Sequence, residues 1–294
     1  MRGVRHEWGK LGLALAVLVL PALLSGSPAR AGGASPDSTR HRILPLMGDL
    51  ATKRGIELPL PLGAGIVYYH LARGIAVHDV RVGRNGAQPQ SVSDFAQLSA
   101  HAKVDNLNAK LDAWILPFLN VYAIVGYIWN ESETHVDVTL PPLLPGGQPR
   151  RKSMTVPTSL EGTVGGLGAT LAGGYGPYFL TVDVNGAQAD LGFDDRFKAV
   201  LTSIRGGWNG RAGGRPLRVW ANFTDWNTDA TVTGTVPDPD GGSLAFEVDQ
   251  GPAYHETYGV GGQYGPTRHI ELAADTGFDG HGGWYVALVP VFRY

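Results

Sequence analysis

Ten ionisable residues recur on the polar sides of alternating segments: Asp79, Arg81, Lys110, Asp112, His135, Asp137, Asp183, Arg218, His269 and Glu271. Two chemistries are open to such a mixed set. Packed together, the carboxylates and cations satisfy one another, because an unpaired charge away from water is costly. Spread around a hydrated bore, they line a narrow pore without strong preference for anions or cations. Catalysis asks for a tighter arrangement. Ser91, Ser93, Ser99 and His101 cluster, and His255, His269 and His281 come late, but none stands at a recognisable nucleophile–base–orienter spacing.

Metal and cofactor signals are equally thin. His269 and Glu271 share a strand face, and His135 would have to converge on them to complete a metal site. Residues 237–242 (PDPDGG) offer oxygen ligands, but no Glu closes a calcium loop. They read better as an Asp-Gly turn joining strands at 230–236 and 244–248. The run Gly165-Gly166-Leu167-Gly168 lacks the Lys-Ser/Thr and helix of a phosphate loop. With no Cys in 294 residues, disulfides and thiolate chemistry are excluded. The residues imply no cofactor, no metal and no enzyme. A net charge of −2 gives no footprint for nucleic acid.

The elements that position these groups are strands. In 106–115, Leu107, Ala109, Leu111, Ala113 and Ile115 oppose Asn106, Asn108, Lys110 and Asp112. The same period of two runs through Val136/Val138/Leu140, Leu180/Val182/Val184, Leu217/Val219/Ala221/Phe223 and Ile270/Leu272/Ala274. Strands are expected near 63–72, 75–84, 104–116, 119–129, 134–141, 161–172, 176–186, 195–206, 215–225, 255–264, 267–276 and 284–294. Alternation alone suits a soluble sandwich or a membrane barrel. Charge placement separates them: the apolar faces are free of charge throughout, and the ionisable groups stand in mid-strand on the other face. Segments of about ten residues match a tilted crossing of the bilayer.

The last ten residues, YVALVPVFRY, sharpen this. Trp284, Val286, Leu288, Pro290, Phe292 and Tyr294 form one apolar face ending on an aromatic, with Arg293 opposite. A lipid-facing barrel strand with an interfacial aromatic has this pattern. At the other end, Arg2, Arg5 and Lys10 precede an apolar run over 11–24 and a small-x-small site at Ala29-Arg30-Ala31. This reads as a cleaved secretory signal over 1–31, rather than an anchor, because the run is short and Pro21 interrupts it.

The reading is therefore an all-β, antiparallel transmembrane β-barrel of about 12 strands, with 10–14 open. Residues 32–62 form a leader, periplasmic or plug segment, and 63–294 the barrel. Counting back from a periplasmic end at Tyr294 puts short turns near 265–266, 207–215, 173–176 and 130–133, and long outer loops at 226–254 and 141–160. The first quarter fits badly: 84–103 becomes a long periplasmic connection and Pro117 a tight outer turn.

Three blocks, LDAWILPFLNVYAIVGYI (111–128), GATLAGGYGPYFLTVDVN (168–185) and the terminal VPVFRY, resemble a family of uncharacterised proteobacterial outer-membrane β-barrel proteins over roughly residues 60–294. The chain departs in ending on Tyr294 rather than Phe. The resemblance implies a fold and a place, the cell outer membrane, but no reaction and no functional residues. The partners it implies are outer-membrane lipid and lipopolysaccharide, and the barrel-assembly machinery through the strand ending at Tyr294. The functional expectations are a narrow passive, porin-like pore for small solutes, then a structural or adhesive surface barrel, then a lipid-modifying rim enzyme.

Overall fold

The computed structural model describes residues 43–53, 58–91, 96–140, 150–192, 197–228, 230–237 and 242–294. The expected signal at 1–31, the leader over 32–42, Ser93 and most of the 237–242 turn lie outside them. Among the described residues there are one short helix and thirteen strands. These are α1 (Gly48–Lys53), β1 (Leu62–Arg84), β2 (Gln90–Ser91), β3 (Ala96–Leu116), β4 (Leu119–Leu140), β5 (Arg150–Tyr175), β6 (Tyr178–Asp190), β7 (Phe197–Ala212), β8 (Arg215–Asn227), β9 (Ala230–Pro237), β10 (Ser243–Pro252), β11 (Glu256–Thr267), β12 (Ile270–Phe278) and β13 (Trp284–Arg293).

Ten strands close into a barrel in the order β1-β3-β4-β5-β6-β7-β8-β11-β12-β13, and β13 pairs back onto β1. Every pairing is antiparallel. The sequence splits two of these strands that the structure keeps whole. Segments 63–72 and 75–84 are one strand, because Gly74 pairs with His101 in unbroken register. Segments 119–129 and 134–141 are also one strand, because residues 130–133 pair with Val104 back to His101 instead of turning. The second merger removes the conflict in the first quarter: the Pro117-Phe118 turn now falls at the same end as Tyr294. All four connections at that end are two residues long: Pro117-Phe118, Gly176-Pro177, Gly213-Gly214 and Arg268-His269. Gly213 (φ 56°) and Gly214 (φ 77°) supply the paired positive φ that a tight hairpin of this twist requires.

Strand length divides the molecule into two parts. β6, β8, β11, β12 and β13 have 9 to 13 residues, close to one tilted bilayer crossing. β1, β3, β4 and β5 have 21 to 26 and run on past the ring. β13 pairs with β1 only from Gly63 to Ala72, and the rest of that edge, Ile75 to Arg84, takes β10. β9 adds beyond β10. The upper halves thus form a projecting sheet in the order β5-β4-β3-β1-β10-β9, on the end opposite the short turns.

The outer wall of the ring is apolar and bare. Leu111, Val125, Leu167, Val219, Val260, Leu272 and Leu288 all expose their side chains, Leu167 to 71%. Water would penalise so continuous a surface, whereas acyl chains would not. Aromatics bound it at both ends: Trp129, Phe278 and Trp284 above, Tyr175, Tyr178, Phe292 and Tyr294 below. From Trp284 to Tyr294 there are ten residue steps; at about 3.4 Å per step and roughly 40° of tilt they span roughly 26 Å of bilayer normal. The chain is a transmembrane antiparallel β-barrel.

Pro290 lies on the closing seam. The β1–β13 ladder runs Gly63↔Arg293 to Gly65↔Val291, then resumes in the same register at Tyr68↔Leu288. Proline has no N–H to donate at the gap.

Candidate functional site

The inward faces build two layers. The lower one, nearer the short turns, is polar and charge-balanced. Arg293 donates from Nη1 to Asp112 Oδ1 at 2.9 Å and from Nε to Glu271 Oε2 at 2.6 Å. Asn120 Nδ2 donates to the same Asp112 oxygen at 2.9 Å. Lys110 Nζ stands 4.6 Å over the Tyr122 ring, and Tyr122 donates its hydroxyl to Asp183 at 2.9 Å, beside Thr170 at 2.5 Å. Across the barrel, Arg205 meets Asp275 at 3.2 Å, and Asp275 also accepts from Trp220, Asn222 and Tyr285. With Arg218 inward on β8, four carboxylates (112, 183, 271, 275) face four cations (110, 205, 218, 293).

Glycine makes the longer bridges possible. Gly63 is paired on one side with Arg293 and on the other with Asp112, so the three form one inward row. A Cβ at Gly63 would fall inside the Asp112 carboxylate, 2.9 Å from its Cγ. Only an absent side chain lets the guanidinium reach across β1. Gly261 repeats the device between Trp220 and Asp275, where a Cβ would stand 2.5 Å from the indole nitrogen. The wall therefore spends two glycines on joining non-adjacent strands through their side chains.

The upper layer is apolar and crosses the bore. One cluster holds Tyr69 and Leu71 of β1, Val104 of β3, Leu201 of β7, Trp226 of β8 and Tyr285 of β13. A second holds Ile128 of β4, Leu160 and Val164 of β5, Ala187 and Ala189 of β6, Leu191, and Phe197 of β7. Eight of the ten wall strands contribute. β1 and β8 stand nearly opposite in the ring, yet the Tyr69 and Trp226 ring centres are 5.6 Å apart, and Tyr285 lies 5.6 Å from Tyr69 and 5.9 Å from Trp226. Trp226 Nε1 is satisfied by Thr257 at 3.0 Å. From the outer side, the Arg73 guanidinium covers the Trp226 ring at 5.4 Å and donates to the Tyr254 carbonyl. Below this septum the side chains of Arg205 (33%) and Glu271 (20%) still reach solvent. Along the bore, a polar layer that solvent still reaches thus gives way to an apolar one.

The ten residues singled out from the sequence separate into three groups. Lys110, Asp112, Asp183, Arg218 and Glu271 point into the barrel. Asp79, Arg81, His135 and Asp137 do not line the lumen. Their strands have already left the ring at those positions, so the groups decorate the projecting sheet. Arg81 bridges Asp79 at 2.8 Å and reaches Glu247 on β10. His135 bonds Thr155 at 2.9 Å, and Asp137 accepts from Ser153. His269 is also outside the lumen. It occupies the two-residue turn before β12, with Nδ1 2.8 Å from the Arg293 carbonyl and its ring stacked on the outward Phe292 at 5.8 Å. It is too far from His135 in the fold for the imagined metal site.

The catalytic candidates have structural partners. Ser91 donates to Asp79 at 2.6 Å. His255 bonds the Trp226 carbonyl at 2.8 Å, and His281 stacks on Tyr254 at 3.6 Å. Among the described residues no group of three or more potential metal ligands occurs. Sequence reasoning missed the septum altogether, and it missed Arg205, Asp275 and Trp220 as partners. Their inward parity was readable, but which strands face each other across a closed ring was not.

No protein-family model and no curated protein matches the chain. The solved structures to which it is similar include three. They are the transport unit of the autotransporter AIDA-I from Escherichia coli (9% identity, 80% of this chain and 90% of that one, TM-score 0.35), the Pseudomonas putida toluene transporter TodX (12%, 90% and 96%, 0.32), and the COG4313 outer membrane channel from Pseudomonas putida F1 (11%, 81% and 97%, 0.32). Likenesses this distant lend this chain no residue roles. Its barrel stands on its own strand pairing.

Proposed function

We propose that the chain is a narrow passive channel of a Gram-negative outer membrane, for small solutes, whose constriction is the apolar septum. The observation that carries this reading is the contrast along the bore. A charge-balanced polar layer that solvent reaches at Arg205 and Glu271 ends against a layer of packed apolar and aromatic side chains. Apolar constrictions of this kind close by excluding water and open when side chains change rotamer. The even charge balance of the chamber supports weak ion selectivity. Outer-membrane placement is supported by the bare apolar wall, the two aromatic belts, and the expected export signal.

A second reading, a surface barrel that displays its outer part, draws on one specific observation. Six strands project beyond the ring as a sheet braced by Arg81 between Asp79 and Glu247. Single-channel recording of the purified protein in planar bilayers separates the two. Small, brief, weakly selective steps support the channel, and sustained silence at applied voltages up to membrane breakdown favours the surface barrel.

A further inference from the structure

The septum is two apolar clusters, and the line where they meet on β3 and β4 is polar. Leu71, Val104, Asn130 and Leu160 form one row of register partners across β1, β3, β4 and β5. Tyr69, Asn106 and Ile128 form the next inward row below it. Leu71, Val104 and Tyr69 belong to the first cluster, Leu160 and Ile128 to the second. An asparagine therefore stands at the boundary in both rows. The inward row beneath places Asn108 between Val67 and Gly126, with Val164 of the second cluster beyond. From Asn108 the same file of β3 runs down to Lys110 and Asp112 in the polar layer.

These positions hold unmet hydrogen-bonding capacity. Seven buried side-chain nitrogen or oxygen atoms lack a partner among the described residues. Four of them lie on this seam: Asn130 Oδ1, Asn106 Oδ1, Asn108 Oδ1 and Tyr69 Oη. Asn108 is only 4% exposed. Gly126 leaves the space its amide occupies, since a Cβ there would collide with Asn108 Oδ1. Buried polar groups are nearly always paired, and leaving one unpaired costs free energy that an apolar side chain of the same shape would not. Four such atoms over three successive rows mark a track through the septum rather than an isolated defect.

The chemistry of the track selects what fits it. Amide oxygens accept hydrogen bonds and a phenol can donate or accept, so the seam suits N–H and O–H donors. A free cation would meet the Lys110 ammonium and the Arg293 guanidinium at the lower end. An anion would face three acceptor oxygens, and a hydrocarbon would leave all of them unpaired. We propose that the constriction passes small neutral solutes rich in hydrogen-bond donors, such as polyols and amides, along this seam, with Asn130, Asn106 and Asn108 accepting from them in turn. The proposal deepens the channel reading above and rests on it.

The test compares two changes of nearly equal shape. Asn106→Thr/Asn108→Thr keeps an acceptor at both positions, and Asn106→Val/Asn108→Val keeps none. Wild type and both double variants are refolded into phospholipid vesicles, and folding is checked by gel mobility. Osmotic swelling is followed by light scattering in erythritol and in trimethylamine N-oxide, which is smaller and carries no donor. Wild type and the Thr pair should admit erythritol severalfold faster than protein-free vesicles do, and faster than they admit trimethylamine N-oxide. The Val pair should fold as well as the wild type, because it removes unpaired amides, yet lose most of the erythritol flux. Equal erythritol rates in the Val and Thr pairs, both above protein-free vesicles, overturn the seam and leave the channel; the amides then serve only bound water. Faster entry of trimethylamine N-oxide than of erythritol into wild-type vesicles overturns the donor requirement in favour of a size sieve. Wild-type vesicles that swell no faster than protein-free ones overturn the channel reading, and the seam with it.

Discussion

Removing Arg293 should be the most damaging single change in the lower chamber. Its side chain is 9% exposed and that of Asp112 is 0%, so Arg293→Met strands a fully enclosed carboxylate and leaves Glu271 without its 2.6 Å partner. Breaking a buried pair by deleting one member costs roughly 3–5 kcal/mol, mostly through the charge left behind. Neutralising the partners tests that origin: Arg293→Met with Asp112→Asn and Glu271→Gln should recover all but about 1–2 kcal/mol. The assay is reversible urea unfolding of protein refolded into phospholipid vesicles, where the assembly machinery plays no part. A slope near 3 kcal/mol/M turns the loss into a midpoint lower by roughly 1–2 M. A shift under about 0.3 M on that slope, or a triple variant no more stable than the single one, would refute the claim that this bridge is a buried, compensated network.

Gly261→Val should push the Trp220 indole off Asp275 and cost about 1–3 kcal/mol by overpacking, with a change in tryptophan emission as the readout. Pro290→Ala has the opposite sign. Restoring an N–H to the seam between β1 and β13 should raise stability by about 0.5–1.5 kcal/mol, seen as a higher temperature for the gel-mobility change of the folded barrel. Arg81→Ala should speed proteolytic cutting within 228–256 while leaving that temperature unchanged, because the bridge it breaks holds β10 to β1 outside the ring.

How far the sequence reached is clearest on β3 and β13. The strict alternation of Leu107 to Ala113 against Asn106 to Asp112 needed only the pleat and one apolar solvent, and the structure exposes the first set and turns Lys110 and Asp112 inward. The terminal strand was equally legible, with Trp284, Leu288 and Phe292 outward and Arg293 inward. Strand length was not. β1 shifts register between Val77 and Asp79 after it leaves the ring, so alternation counted through the shift assigns Asp79 and Arg81 to the inward file they do not hold. His135 and Asp137 stand in the outward file of Val121, Val125 and Trp129 on β4, a parity visible only once 130–133 is strand and not turn. Residues 130–133 look like a turn by composition, yet they stay extended because neighbouring long strands pair on both sides. The septum was illegible for another reason: Tyr69 and Trp226 are 157 positions apart, and only closure of the ring brings them to 5.6 Å. The inward glycines at 63 and 261 had no signal beyond interrupting a strand.

The central claim is that an apolar layer, and not a solid interior, closes this bore. Planar-bilayer conductance of the wild type against a Tyr69→Ala/Trp226→Ala double variant tests it most directly. These two rings meet across the lumen, and their removal should convert rare, small events into frequent steps severalfold larger, while the polar network below stays in place. A double variant that folds, inserts and conducts no more than the wild type would contradict it.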